Sequence, residues 1–140
     1  MNRQQILEFL NKAQTCHLAT VENSEPRVRG MMMYRADESG LLFHTGTGKD
    51  VFRQIQTQPA VEICFNDLQA GLQVRVRGRA QIVEDQALKE EIVEHRDFMK
   101  PWIKEHGYGL IGVFRVTDCV ASIWTFASNF APKEFIPLHP

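Results

Sequence analysis

The spacing of apolar residues predicts a chain of short strands that begins with one helix. Residues 1–14 carry apolar side chains at the i, i+3, i+4 and i+7 positions, which is the pattern of a helix with one buried side. From Leu72 to Val83, apolar residues alternate with Gln and Arg, which predicts the longest strand of the chain. Gly78 interrupts the apolar row of that strand and predicts a bulge or tight bend of the kind found in curved sheets.

Shorter alternating or β-branched runs predict the remaining strands, and helix-start signals predict the remaining helices. The strands are predicted at 15–21, 27–34, 41–45, 61–65, 110–116 and 121–126, and the helices at 50–56, 85–95 and 98–105. Asp85 is expected to cap the helix that follows it, and Thr47 and Asp50 have the spacing of a capping box. A turn is predicted at 36–40, and residues 128–140 are expected to be irregular.

Most consecutive predicted strands are separated by tight turns rather than by helices, which favours an antiparallel sheet. Long alternation with an internal glycine further favours closure of this sheet into a small barrel. The pattern therefore predicts an α+β fold with a barrel core.

Composition narrows the class of protein. At 140 residues the chain has the length of one domain, and it is large enough to form a core without disulfides or metals. Lys and Arg number 16 against 17 Asp and Glu, so the net charge of −1 gives no global attraction to nucleic acid or to an anionic membrane. No apolar run could span a bilayer, and no signal peptide is recognised. The three cysteines form no C-x-x-C pair, so we expect a cytoplasmic protein with reduced thiols.

The first candidate site is the segment HTGTGK, from His44 to Lys49, between a predicted strand and a predicted helix. Two hydroxyls, two glycines and a lysine at a helix N-terminus favour binding of an anion such as a phosphate. The segment is not a Walker A loop, because Phe43 stands where the first glycine is required and Asp50 follows the lysine. The alternative interpretation is a glycine-rich turn with a surface lysine.

The second candidate site is the predicted strand from Arg27 to Tyr34, with the sequence RVRGMMMY. Arg27 and Arg29 share one face of the strand, and Gly30 allows close approach to the backbone. Three methionines offer an adaptable surface for a flat ring. The alternative interpretation is an edge strand with exposed arginines above a methionine-filled core.

No other pattern indicates catalytic or metal chemistry. Arg75, Arg77 and Arg79 alternate along the long strand, but without interleaved aromatic residues they predict a solvated or inter-subunit face and no nucleic-acid site. The histidines lack metal-ligand spacing and no G-x-S-x-G elbow is present, so neither a catalytic side chain nor a metal ligand is predicted. Trp124 fits either the core or a stacking position on a ligand.

Several segments, taken in order, carry a resemblance to a known family. They are LATV at 18–21, EPRVR at 25–29, LFHTG at 42–46, KDVFRQI at 49–55, PAVEIC at 59–64, QVRVRGRA at 73–80, IW at 123–124 and PKE at 132–134. This ordered set resembles the pyridoxamine 5′-phosphate oxidase-like, flavin-binding superfamily, and within it the small nitroimidazole-resistance-type and general-stress-type flavoproteins. The resemblance covers most of residues 1–135.

The resemblance implies an antiparallel Greek-key split β-barrel of about six to seven strands with three or four short peripheral helices, as one domain over residues 1–140. It also implies FMN bound at the interface of a homodimer, with the stretch Met31–Met33 buried between the subunits. The residues implied to line the cofactor are Arg27, Val28, Arg29, Met31, Met32, His44, Thr45, Thr47, Lys49, Gln73 and Trp124. Thr45 and Lys49, with His44 and Thr47 nearby, would hold the ribityl phosphate.

Departures from the family pattern shape the functional expectation. The C-terminal Trp-and-Arg segment that binds pyridoxal phosphate in the family's oxidases is missing, as is the lysine they carry near Met32. We therefore expect an FMN-dependent oxidoreductase that reduces a small nitro- or quinone-like compound with electrons from NAD(P)H, not one that oxidises pyridoxamine phosphate. The alternatives are a non-catalytic flavin or heme binder with a stress or sensing role, and a dimeric scaffold. Phosphate contacts weaker than those of the family's oxidases also leave room for a deazaflavin or heme in the site, or for an empty site.

Overall fold

The computed structural model describes all residues from 1 to 140. Its helices are α1 (Arg3–Ala13), α2 (Asp50–Thr57), α3 (Gln86–His95) and α4 (Lys100–His106), with short 3-10 turns at Asp97–Met99 and Tyr108–Leu110. Its strands are β1 (Thr15–Glu22), β2 (Glu25–Met32), β3 (Arg35–Asp37), β4 (Gly40–Gly46), β5 (Ala60–Asp67), β6 (Leu72–Ile82), β7 (Ile111–Thr125) and β8 (Ile136–Pro137). None of the four helices has the length and apolarity that crossing a bilayer requires.

Side-chain caps fix where two of the helices begin. Asn2 and Gln5 form a reciprocal capping box at the start of α1, where each side chain bonds the other residue's backbone N–H. The carboxylate of Asp85 accepts a hydrogen bond from the Leu88 N–H at 3.1 Å, which confirms the predicted cap of α3.

All strand pairs are antiparallel, in the order β2-β1-β5-β6-β7-β4-β3, with β8 added against β7. This arrangement confirms the predicted α+β class and the antiparallel split barrel. The concave side of the curled sheet encloses a main core of 22 buried residues. Phe43 on β4 and Phe114 on β7 are directly paired there, and their stacked rings have centroids 5.2 Å apart.

A second, smaller core lies on the outer side of β4 and β7, beneath α3. It contains seven buried residues: Leu42, Leu88, Ile92, Val93, Met99, Ile111 and Val113. This outer core holds α3 against the strand that carries His44, and so it positions the residue that directly follows α3.

The long strand β6 has the predicted irregularity at Gly78. Its pairing with β7 shifts register between Arg77 and Arg79. A Cβ atom at Gly78 would lie 2.6 Å from the carbonyl oxygen of Thr117, closer than real Cβ atoms approach backbone. The register shift therefore requires a residue without a side chain at position 78.

The structure corrects three predicted elements. The strands predicted at 110–116 and 121–126 are one strand, β7, which continues through Asp118 at a φ of 54° opposite the β6 bulge. The predicted turn at 36–40 contains the short strand β3, and the tail expected to be irregular contributes β8.

Two of the three arginines in the row on β6 have partners within the chain. Arg75 pairs with Glu62 on β5 at 3.0 Å, and the guanidinium of Arg77 lies 4.1 Å from the centre of the Phe135 ring. Both arrangements agree with a solvated sheet face, because one cation is matched by a neighbouring carboxylate and the other by an aromatic ring.

Candidate functional site

A polar cluster links β2 to the helix that follows the predicted phosphate segment. The Arg29 guanidinium donates to the Leu18 carbonyl at 3.1 Å, to the Thr20 hydroxyl at 2.9 Å and to the Gln54 side-chain oxygen at 2.5 Å. Thr20 and Gln54 are buried, with 1% and 3% of their surfaces exposed. Partial burial lowers the pKa of Arg29, and the carboxylate of Asp50 opposes this shift. All three bonds of Arg29 go to neutral oxygens, so its charge has no carboxylate bonded to it.

Lys49 stands at the N-cap position of α2 and makes no side-chain cap there. The capping box predicted from Thr47 and Asp50 is wrong, because the Thr47 hydroxyl donates instead to the Gly109 carbonyl at 2.9 Å. Asp50 pairs with Arg53 at 3.0 Å. The first turn of α2 therefore has no side-chain cap. The Phe52 N–H donates back to the Lys49 carbonyl at 3.2 Å, which leaves the N–H groups of Asp50 and Val51 available to an anion.

α2 is held in place by Phe52, whose ring packs on Gly112 of β7. A Cβ at Gly112 would overlap the ring carbons of Phe52, so only glycine lets the helix approach this closely. Thr45 on β4 is the direct partner of Gly112 and is buried. Thr45 thus lies beside α2 as predicted.

His44 faces the outer core, on the same side of β4 as Leu42. Its Nε2 atom is buried and has no hydrogen-bond partner. Burial, reinforced by the positive charges of Arg96 and Lys49, lowers the pKa of His44 from 6.5 to about 4. The imidazole is therefore neutral at pH 7, and it carries an unused polar atom.

Arg96 is the residue of this site that sequence reasoning missed. It directly follows α3 and is 8% exposed. Its guanidinium donates to the Met33 carbonyl at 3.0 Å and to the Met32 sulfur at 3.2 Å, and lies 5.5 Å from the centre of the Tyr34 ring. Its Nε is buried without a partner. Arg96 therefore connects the end of β2 to the neighbourhood of His44.

Neither candidate acid near Arg96 titrates close to neutral pH. The Tyr34 hydroxyl donates to Glu91 at 2.7 Å, and burial together with this bond raises the pKa of Tyr34 to about 12. The pKa of His44 is shifted in the opposite direction, to the acid side of neutrality. The cluster offers fixed hydrogen-bond donors and one buried cation rather than a general acid–base pair.

The outer face of β1, β2 and β5 carries a groove of about 450 Å³. His17 is paired with Gly30 on one side and with Cys64 on the other, and these three residues form its floor. Met32 and Asn66 lie at its edge. Gly30 has no side chain and Cys64 has a short one, so the exposed imidazole of His17 is the one large side chain on the floor.

Gln73 and Trp124 are direct partners on β6 and β7, on the same outer face. Gln73 donates to Asn66 at 2.9 Å, which connects this pair to the groove. The Trp124 indole N–H donates to Asn129 at 2.8 Å, so the ring is fixed by its own C-terminal segment. Gln73 and Trp124 line a separate, smaller pocket on the same sheet face, which the Gln73–Asn66 bond connects to the groove.

The remaining predicted residues on β2 differ in accessibility. Arg27 is exposed and pairs with Glu25 at 3.1 Å, and Val28 is 68% exposed on the outer face. Met31 packs against the main core, and Met33 is fully buried within it. The expectation that Met33 is buried between subunits is therefore wrong, because the core of its own chain already covers it.

One chain thus brings together two groups of the predicted residues. Thr45, Lys49 and Arg29 lie beside α2, while Gln73, Trp124, Val28 and Met32 lie on the outer face. His44 belongs to neither group, because it faces the outer core, where the charge of Arg96 acts on it while Arg96 bonds Met32. The structure contains no cluster of three or more His, Cys, Asp or Glu side chains that could hold a metal ion.

Comparison with known proteins identifies the family of this chain. The family model described as pyridoxamine 5′-phosphate oxidase matches residues 3–112. The chain therefore belongs to the pyridoxamine 5′-phosphate oxidase family, as its ordered segments predicted.

Individual relatives differ in length and name. The pyridoxine/pyridoxamine 5′-phosphate oxidase of Mycobacterium leprae (strain TN) is 28% identical over 126 residues, which are 88% of this chain and 56% of that protein. The chain thus spans about half the length of the curated relatives it matches. A NimC/NimA family protein from Clostridium acetobutylicum superposes with a TM-score of 0.78 and 25% identity, covering 96% of this chain and 91% of that one. A structure described as an F420 reductase gives a TM-score of 0.61 and 26% identity, covering 80% and 93%.

Proposed function

We propose that this chain is an FMN-dependent oxidoreductase that reduces small nitro- or quinone-like compounds. One observation carries the proposal. Two cations without a carboxylate partner flank α2, Lys49 at its uncapped start and Arg29 beside Gln54 in its middle, in a chain that also carries a groove of about 450 Å³. A site for a phosphate and a site for a planar ring are the two things that FMN requires.

The residues at α2 fit the phosphate of FMN. The dianion would meet the Lys49 ammonium, the Arg29 guanidinium and the N–H groups of the first helical turn, each of which favours negative charge. Asp50 is the opposing charge nearby, and Arg53 offsets it only in part, because the same guanidinium pairs with Glu22 at 2.7 Å.

The groove fits the ring system. Its volume falls in the range of small-molecule sites, and Gly30 and Cys64 leave room for a ring beside the imidazole of His17. Met32 supplies a polarisable edge, and Gln73 supplies an amide next to the groove. When bound, the flavin supplies the hydride or electron transfer, and the chain supplies position and electrostatics.

Arg96 suits a substrate that gains negative charge as it is reduced. Electron transfer to a nitro group or a quinone places charge on an oxygen atom, and a fixed, buried cation stabilises such charge strongly. Arg96 lies directly behind Met32, which borders the groove. Family membership and the likeness to an F420 reductase support redox chemistry in general, and the latter makes a deazaflavin the natural competitor for the site.

A homodimer is part of the proposal. Strand β2 lies at the edge of the sheet, and Val28 and Met32 on its outer face are 68% and 40% exposed. A second copy that covers this face would enclose the groove and exclude water from the ring. NAD(P)H is the proposed electron donor.

The decisive experiment compares FMN with riboflavin, which lacks the phosphate. FMN should bind to the protein at least about tenfold more tightly than riboflavin, and Lys49→Ala should remove most of that difference. Lys104→Ala on α4 is the control, because this exposed lysine lies outside the site. Equal affinity for both flavins would refute the phosphate assignment, and no uptake of FMN would refute the function.

The second candidate is a non-catalytic flavin or heme binder, which is favoured because the pKa values of Tyr34 and His44 are both displaced from neutrality. Anaerobic addition of NADH or NADPH to the FMN-loaded protein separates the two functions. Bleaching of the flavin absorbance supports the oxidoreductase, and an unchanged spectrum with both donors supports the binder.

A further inference from the structure

The surroundings of Arg96 leave its charge poorly matched. The residue is only 8% exposed, yet no carboxylate lies within ion-pair distance of its guanidinium. Its acceptors are one backbone carbonyl and the thioether of Met32, and a thioether is a weak acceptor. Its Nε has no acceptor at all. A stronger acceptor in the position of the Met32 sulfur would therefore be favoured.

Met32 is reachable from solvent in the single chain, and in the proposed dimer it still borders the groove that a substrate must enter. It is 40% exposed and borders the groove, whereas Met33 and Met99 are 0% and 5% exposed. Met1 has a comparable exposure of 48% but has no contact with Arg96. Among the well-exposed methionines, Met32 thus combines access for an oxidant with a buried cation at its sulfur.

We propose that Met32 is an oxidation site at which hydrogen peroxide converts the thioether into a sulfoxide that Arg96 holds. The sulfur lone pair attacks one peroxide oxygen, the O–O bond breaks, and a new S–O bond forms. The departing hydroxide takes the proton of the transferred oxygen and leaves as water. The sulfur loses two electrons and the peroxide gains them.

Arg96 sets this oxidation apart from damage to a core methionine. Sulfoxide formation ordinarily places a polar oxygen among apolar neighbours and destabilises a fold. Here the new oxygen carries partial negative charge and lies within reach of the guanidinium that now bonds the sulfur at 3.2 Å. It gains a charge-assisted hydrogen bond, so the oxidised chain is at least as stable as the reduced one.

The consequence for activity rests on the proposed function. With the sulfoxide oxygen bonded to Arg96, the cation is no longer free to face a substrate oxygen across the groove edge. Oxidation of Met32 would therefore lower the reduction of nitro or quinone compounds while leaving the phosphate site at α2 intact. Peroxide arises when a reduced flavin reacts with oxygen, so the oxidant can originate at the same site.

The experiment needs no flavin. The protein is treated with hydrogen peroxide, oxygen addition at each methionine is followed by peptide mass spectrometry, and the melting temperature is measured. We expect oxygen addition at Met32 and Met1, protection of Met33 and Met99, and no loss of thermal stability. A protein in which Met1 is oxidised but Met32 is not, or one destabilised in step with Met32 oxidation, overturns the proposal.

A genetic arm tests the Arg96 contact without oxidation. Met32→Gln places an amide oxygen near the position of the sulfoxide, and Met32→Leu removes the acceptor. The Gln variant should melt at least about 3 °C above the Leu variant. In an Arg96→Met background that difference in melting temperature should vanish. If the Arg96→Met protein does not fold, the order of the melting temperatures of the Met32→Gln and Met32→Leu variants alone decides. Equal melting temperatures refute the contact, and neither result depends on whether the protein binds FMN.

Discussion

Arg29 on β2 and Gln54 on α2 are joined by a hydrogen bond of 2.5 Å between the guanidinium and the side-chain amide oxygen. The same oxygen accepts from the hydroxyl of buried Thr20 on β1. One amide therefore ties two strands to the helix whose start forms the candidate phosphate site. We therefore expect stability and the proposed cofactor binding to be coupled at Gln54.

Replacing Gln54 by Ala should weaken both properties. Loss of the shared acceptor leaves the Thr20 hydroxyl and one Arg29 donor unsatisfied, which should cost about 1–3 kcal/mol in the free energy of unfolding. The affinity for FMN should fall as well, because Arg29 loses its orientation. Urea titration and FMN titration measure the two effects. Gln56→Ala, on the exposed side of the same helix, is the control and should change neither.

Gly78 and Gly48 should respond differently to the same substitution. Gly78→Ala places a Cβ against the Thr117 carbonyl at 2.6 Å and should destabilise the fold by about 1–3 kcal/mol. A Cβ at Gly48 would have no heavy atom within 4 Å beyond its chain neighbours, so Gly48→Ala should be nearly neutral. Thermal unfolding of both variants checks the β6 bulge, and equal losses would argue against it.

His44 should make the fold sensitive to mild acid. The pKa of this histidine is lowered to about 4 in the folded chain from an ordinary value of 6.5, so the unfolded chain binds the proton first. Its contribution is complete above about pH 6.5 and is lost as the pH falls towards 4, by about 3 kcal/mol in all. His44→Gln should flatten the dependence of unfolding free energy on pH across this window, whereas His106→Gln, at an exposed position, should leave it unchanged.

The three free cysteines should differ in reactivity towards a thiol reagent. Burial raises the pKa of both Cys16 and Cys119 to about 12, which keeps these thiols protonated and covered. Cys64 is half-buried and lies on the groove floor. One thiol should therefore react in the native protein and three after unfolding. Saturation with FMN should slow the native reaction, and labelling unaffected by bound FMN would place the ring elsewhere.

The proposed dimer should depend on the outer face of β2. Val28→Glu puts a charge in the centre of a face that a second copy would bury, and the variant should be monomeric by light scattering. Leu68→Glu, at a residue 88% exposed in the turn between β5 and β6, is the control and should leave the oligomeric state unchanged. A wild-type monomer at micromolar concentration would contradict the dimer.

Periodicity was sufficient to predict much of the sheet. β6 alternates strictly, and its break at Gly78 corresponds to the observed bulge. The division of β7 into two strands was wrong because Asp118 adopts a left-handed conformation inside a strand that continues to pair on both sides of it. Local sequence around such a residue is typical of a turn, and only the partner strand shows otherwise.

The site was predictable where its residues are contiguous. The segment around Lys49 and the strand containing Arg29 were both recognised, and the structure places both against α2, Lys49 at its start and Arg29 at Gln54. Arg96 was missed because its role depends on contacts with residues more than 60 positions away. A lone arginine after a helix has no periodic or motif signal, so its burial could be learned only from the folded chain.

The separation of the outer core from the main core has a dynamic consequence. α3 is fastened to the barrel by seven residues that form a cluster of their own, and Arg96 follows directly at its end. Such a cluster can open as a cooperative unit while the 22-residue core beneath the sheet stays intact. The amides of α3 should then exchange with deuterium faster than those of β6, and each opening would carry Arg96 away from Met32. The segment behind the groove, α3 with Arg96 at its end, can therefore move while the barrel stays folded.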